Sequence, residues 1–368
     1  MTGTALALAL ALGSSFDPAG LSPRLPPAPL ALYSIAWHRD LVAPESAGVA
    51  VEEGGVTVDP DTGIAVCGTR DGWLHAFKRD GTRAWEFDAG GGFAGAPAVV
   101  KGTVYAGSGG RVHALSLVDG SRRWSYDAQE ELGTTPVVVD GTVYVMSLQG
   151  TLFAVDARTG AWKWHHRREA RGIDRGYSIR GAAPPAVRNG VVYAGFADGF
   201  VVALDGGNGQ VRWSQAIAST GDYVDVDGLS LDGDRLYAAA YSGVVVALDP
   251  DSGAQLWSQR VPLATRVAAG KGIVVAVAAR QLVGLDPTDG QPLWTAPFEG
   301  APGATPEFTD RWLLVPAQDG GLRFVERASG RTLRSFRTGT GFTGRPGVHG
   351  RRVYALSNGS HLYALDLK

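Results

Sequence analysis

At 368 residues the chain has room for two ordinary domains or one large β architecture. A net charge of −2 with 19% charged residues argues against nucleic acid or an anionic membrane surface as the main partner. The single cysteine, Cys67, rules out an intramolecular disulfide framework and any cysteine-based zinc cluster.

The N-terminal stretch TALALALALGSS (4–15) is too short to span a bilayer and has the length of a secretory h-region. No Lys or Arg precedes it, so it reads as a signal peptide with a truncated start or as an Ala/Leu tail. SPRLPPAPL (22–30) has the composition of an extended linker. Residues 1–31 are therefore set apart as a signal-like segment and linker, and the folded unit is expected over 32–368.

From there the chain repeats itself. LYSIAWHRDL (32–41) carries Trp37 with no unit before it. Eight apolar strands follow, beginning with IAVCG and TVYAG and ending with WLLVP and RVYAL. Each leads through a turn to a small-apolar pair: Ala76-Phe77, Ala114-Leu115, Ala154-Val155, Ala203-Leu204, Ala247-Leu248, Gly284-Leu285, Phe324-Val325 and Ala364-Leu365. A second turn then sets a glycine four residues before a tryptophan: Gly81 and Trp85, Gly120 and Trp124, Gly160 and Trp164, Gly209 and Trp213, Gly253 and Trp257, Gly290 and Trp294. The seventh unit has Gly330 followed by Arg334. Each unit holds about four short strands joined by glycine turns, which is one propeller blade. The eighth unit stops short of an outer strand, and the segment bearing Trp37 can supply it. The fold class is all-β: an eight-bladed β-propeller of four-stranded antiparallel blades, closed by the N-terminal strand. The tryptophan is expected to pack between neighbouring sheets.

Spacings between successive pairs run 38, 40, 49, 44, 37, 40 and 40. The excess lies in HHRREARGIDRGYSIRG (165–181) and SQAIASTGDYVDVDG (214–228). Both connect an outer strand to the next inner strand, so both should emerge on one face, where repeat proteins place binding. The first is basic and the second acidic; the charges can equally pair with each other or with water.

Other polar residues carry weaker signals. Asp222, Asp225 and Asp227 do not have the spacing of an EF-hand loop. His165 and His166 would need a preformed turn to share a metal. His75 and His113 recur at matching blade positions, which points to packing. Cys67 reads as a small buried apolar residue. No G-x-S-x-G elbow, phosphate loop or H-E-x-x-H occurs, so no catalytic, metal or cofactor-binding residue is assigned and no cofactor is expected.

The repeat resembles that of the pyrroloquinoline-quinone-type propellers, whose A-x-D-x-x-T-G-x-x-x-W signature is matched by Ala154, Asp156, Thr159, Gly160 and Trp164. Quinoprotein dehydrogenases share the repeat but are longer and usually carry an adjacent cysteine pair. SIRGAAPPAV (178–187), VDVDGLSLDGDRLYAAAYSGVVVALDPDSGAQLW (224–257) and GFTGRPGVHGRRVYALSNGSHLYAL (341–365) are similar to segments of the BamB family of outer-membrane β-barrel assembly lipoproteins. That resemblance implies a non-catalytic periplasmic scaffold, a monomer within a complex, associated peripherally with the inner face of the outer membrane. It also implies docking to the periplasmic repeats of the central barrel-assembly subunit through Tyr177, Ile179, Arg180, Asp225 and Asp227. The family's lipoprotein cysteine has no counterpart here, so lipid anchoring is left open. Two rival readings are a propeller enzyme, quinoprotein-like or otherwise, with its site in the central channel, and an extracytoplasmic ligand-binding or sensory propeller.

Overall fold

A computed structural model describes residues 32–41, 51–168, 183–218 and 224–368. Among the described residues, thirty-two strands form eight separate four-stranded antiparallel sheets. Blades 1 to 7 take their strands consecutively: Val56–Asp88, Ala98–Asp127, Val137–Arg167, Ala186–Ala216, Val226–Arg260, Ala264–Pro297 and Glu307–Phe336. Blade 8 combines three strands between Gly347 and Leu367 with Tyr33–Asp40, which pairs antiparallel to His361–Leu367 as its outer strand.

Local chemistry accounts for this build. The second and third strands of each blade are rich in Val, Leu, Ile and Tyr and are buried on both faces, as strands sandwiched between sheets must be. In four blades the first hairpin is a two-residue turn with both residues at positive φ: Lys101-Gly102, Asp140-Gly141, Asn189-Gly190 and Lys271-Gly272. Such turns twist in the sense that strands require. The later turn is fixed by its aspartate. Asp156 Oδ1 accepts from the amide of Thr159 (2.8 Å) and from its hydroxyl (2.8 Å), and Asp249 does the same with Ser252. These bonds favour the ionised carboxyl and hold both aspartates below the usual carboxylate range.

The core is divided among the joints between blades. One cluster joins Tyr144, Leu152 and Trp164 of blade 3 to Val192, Val202 and Leu204 of blade 4. At about 1.5–3 kcal/mol per fully buried large apolar side chain, each joint contributes a substantial share of stability.

The tryptophan organises the joint. It lies directly opposite the small residue of its own blade, as in Ala154↔Trp164 and Ala203↔Trp213, with a register shift immediately after. Its indole lies against the glycine of the next blade's turn. Trp37, Trp85, Trp124, Trp164, Trp213, Trp257 and Trp294 lie against Gly81, Gly120, Gly160, Gly209, Gly253, Gly290 and Gly330, where a Cβ would come within 2.3–2.8 Å of the ring. Each Nε1 donates to a carbonyl of that turn at 2.7–3.0 Å. The recurring G-x-x-x-W phrase is thus both halves of a docking joint: the turn receives the preceding blade and the tryptophan reaches the following one.

Candidate functional site

Each connection from an outer strand to the next inner strand lies on the same face as the hairpin between a blade's second and third strands. Backbone bonds tie the two, such as Ala89 N to Gly72 O (2.9 Å) and Ile217 N to Gly199 O (2.9 Å). The two long connections both meet the blade 4 hairpin at Phe196–Gly199. On one side, Arg168 donates from Nε to Asp198 Oδ2 (2.8 Å), donates to Ser214 Oγ (3.2 Å) and lies over the Phe200 ring at 4.0 Å. On the other, Val226 N donates to Phe196 O (3.2 Å) and Tyr241 N to Asp225 O (2.9 Å). Gly199 has φ +82 and fits closely, since a Cβ there would come within 2.1 Å of Ala218 O and 3.2 Å of Val224 Cβ. The described ends of both connections are therefore fixed side by side by one hairpin.

Of the five expected docking residues, Tyr177, Ile179 and Arg180 lie outside the described residues. Asp225 and Asp227 are both buried, 8% and 3% exposed. They sit at the base of the second connection, and Arg266 Nη1 of blade 6 lies 3.4 Å from the Asp227 carbonyl. Asp222 also lies outside the described residues.

Three charged residues far apart in the linear sequence act on one another electrostatically. Glu53 is exposed, and its carboxyl feels the opposite charge of Arg266 and the like charge of Glu131. These three residues belong to three different joints of the ring. Their proximity exists only because the ring closes. Beside them, Glu52 is fully buried and accepts from the Ser360 hydroxyl and from Arg70 N (2.9 Å). It fastens the connection into blade 1 against blade 8.

The histidines take separate roles. His165 and His166 are consecutive in a strand and face opposite sides. His166 meets Phe196 (5.8 Å between centroids), whereas His165 meets Phe153 and Trp162 (6.2 and 6.1 Å), so they do not converge on one ion. His75 and His113 are 3% exposed, and His113 packs edge-on to Phe87 of the preceding blade at 5.5 Å. Burial pushes both down to about 4. Cys67 is fully buried between blades 8 and 1, and burial pushes its thiol up. Nothing corresponds to the adjacent cysteine pair of quinoproteins. Among the described residues no group of three or more His, Cys, Asp or Glu is placed to hold a metal ion.

The family described as outer membrane protein assembly factor BamB matches residues 70–248 and 241–368. This chain belongs to the BamB family. The BamB protein of Pseudomonas aeruginosa (strain PAO1) is 28% identical over 202 residues, 52% of this chain and 53% of that relative. The match thus spans about half the length of that curated relative. The crystal structure of BamB from Moraxella catarrhalis superposes with a TM-score of 0.78, covering 91% of this chain and 100% of that one at 20% identity. Quinohemoprotein alcohol dehydrogenase from Comamonas testosteroni superposes at 0.73, covering 92% of this chain and 77% of that one at 15% identity. At such identities the superpositions establish a shared propeller and no shared chemistry.

Proposed function

We propose that this propeller is a non-catalytic periplasmic interaction scaffold that assists the assembly of outer-membrane β-barrels. The observation that carries the reading is the BamB family match over residues 70–248 and 241–368, supported by a like-sized BamB structure at a TM-score of 0.78. The docking surface we assign is the pair of long connections flanking the blade 4 hairpin. Tyr177, Ile179 and Arg180 supply the contacting side chains. Asp225 and Asp227, being buried, act by holding the second connection in place. An arginine beside an aromatic and an aliphatic residue is the composition of an interface anchor. The partner is the periplasmic portion of a barrel-assembly subunit, and the residence is the periplasm at the inner face of the outer membrane.

The test is capture of the barrel-assembly subunit from envelope extract by the full chain, beside Arg180→Glu and Asp225→Ala. Recovery by the wild type, with loss in Arg180→Glu, supports both function and site. Recovery by all three retains the function and moves the site elsewhere on the ring. Failure of the wild type to recover that subunit overturns the reading.

A further inference from the structure

The turns on the face opposite the long connections differ in charge around the ring. The turn after the third strand opens on an aspartate in blades 3 to 6, at Asp156, Asp205, Asp249 and Asp286, and on Lys78-Arg79 in blade 1. Asp366 of blade 8 holds the aspartate position, but no turn joins its strand to the closing strand. The amide and hydroxyl that satisfy Asp156 and Asp249 therefore have no counterpart there.

An arginine takes their place. Arg352 donates from Nε and Nη2 to the two oxygens of Asp366 (2.7 and 2.9 Å) and from Nη1 to the carbonyl of Arg79. The bonds from Arg352, joined by the charges of Arg352, Arg79 and Arg351, hold Asp366 below the usual carboxylate range. Three guanidiniums thus act on one carboxylate, and Arg352 occupies both of its oxygens. Lys78, Arg79 and Arg351 are exposed. Arg351 is steadied by its Nε bond to Leu367 O (3.1 Å), and Asp80, the acid of the blade 1 turn, accepts from Thr82 N (2.8 Å). The joint between blades 8 and 1 therefore presents surplus positive charge on this face.

Two further observations indicate what such a patch meets. Leu32 O accepts from Lys368 N (3.0 Å), and Tyr33 pairs with Leu367. Residues 1–31, with their apolar run at 4–15, therefore join the ring beside the patch, on the face turned away from the long connections. Ile35, 52% exposed, stands next to it on the closing strand, paired with Leu365. Basic side chains and an exposed aliphatic residue at the root of an apolar segment form the composition that rests on an anionic lipid surface. A single apolar element holds there only weakly, and a basic patch supplies the second hold. The net charge of −2 is a sum over the whole chain and does not describe this patch.

We propose that Arg79, Arg351 and Arg352, with Lys78 at the edge, bind the phosphate headgroups of an anionic phospholipid membrane. The long connections then point away from the bilayer, so that lipid and a protein partner can be held at once. The inference rests on the periplasmic reading only for the membrane at hand. Lipid binding is measured with no barrel-assembly subunit present, so either reading can fail without the other.

The experiment is co-sedimentation of the full chain with vesicles of phosphatidylcholine alone and of phosphatidylcholine mixed with phosphatidylglycerol, at low and physiological salt. Binding to the mixed vesicles is at least about tenfold tighter and weakens as salt rises. Arg79→Glu with Arg351→Glu lowers it by about tenfold or more. Lys101→Glu with Arg158→Glu, the same change of charge in turns of blades 2 and 3 on that face, leaves it within about twofold. Circular dichroism confirms each fold, and Arg79→Gln with Arg351→Gln shows a smaller loss, which keeps the test decisive if charge reversal disturbs folding. Absence of binding, or equal binding to both vesicle types, overturns the proposal. So does an equal loss in the two charge-reversed variants, which would make net charge responsible. Tighter binding of a polyglutamate peptide than of the mixed vesicles, lost in the same variant, overturns it too and reassigns the patch to an acidic protein segment.

Discussion

The contact between Trp213 and Gly253 shows how much one atom decides at a blade joint. Gly253 sits at φ +75, and a Cβ would lie 2.7 Å from the indole of Trp213. Gly272 has a similar φ of +79 with nothing within 4 Å. Replacing either with alanine incurs the left-handed penalty of about 1–2 kcal/mol. Only Gly253→Ala must also displace a half-buried ring, adding roughly 1–3 kcal/mol. Chemical denaturation of the two variants should therefore rank Gly253→Ala clearly below Gly272→Ala; equal stabilities would mean that the joint yields without strain. The buried histidines supply a second residue-scale prediction. Both are held down to about 4 from an ordinary 6.5, so the folded chain keeps them neutral while the unfolded chain takes up protons. Their contribution is complete above pH 6.5 and is lost as pH falls through the window to 4, a loss on the order of 3 kcal/mol each at the acid limit. His113→Phe copies Phe153, the residue at the matching position of blade 3, and should flatten the stability profile across that window in denaturation at pH 7.5, 5.5 and 4.5. A parallel decline in wild type and variant would remove His113 from the explanation.

At the scale of a blade, the seventh unit explains its own irregularity. Everywhere else a tryptophan faces Ala or Gly, but blade 7 pairs Phe324 with Arg334. The tryptophan position has nothing to dock on, because in blade 8 the third and fourth strands come from opposite ends of the fold and no turn joins them. Phe324 instead fills the joint from its own strand, stacked on Tyr33 at 5.0 Å and edge-on to Trp312 at 6.2 Å. Phe324→Ala should then cost about 3–5 kcal/mol, whereas Arg334→Trp should bring no gain; stabilisation by Arg334→Trp in thermal denaturation would contradict this account. The sequence carried the break at Arg334 and the offset between glycine and tryptophan in full view, because a blade is a local unit whose turns and strand periods are written in consecutive residues. The partner of each tryptophan was not legible, since Trp213 and Gly253 are forty residues apart and meet only across a joint. The same holds for Glu53, Glu131 and Arg266.

The ring as a whole depends on one short strand. A linear array of blades would be stabilised by nearest-neighbour joints alone, but Tyr33–Asp40 serves two joints at once. Trp37 packs 5.9 Å from Phe77 of blade 1 and 5.7 Å from Tyr354, donates to Arg79 O at 3.0 Å, and is followed by Arg39, which donates to Gly81 O at 2.9 Å. Tyr33, at the other end of the strand, reaches back to Phe324 and Phe336 of blade 7. The strand is mostly exposed on its outer side, so its stabilising effect resides in these few inward contacts and in its ladder with His361–Leu367. Removing residues 1–41 should weaken the joints on both sides of blade 8 together and leave the edge of His361–Leu367 unpaired, an invitation to pairing between molecules. A synthetic peptide of residues 32–41 added in trans should restore the thermal midpoint and suppress self-association, and the same peptide with Trp37→Ala should not, because it refills the ladder but not the joint with blade 1. Restoration by both peptides would assign closure to the backbone ladder alone. A truncated chain that melts with the full-length chain would show that the ring holds without its closing strand.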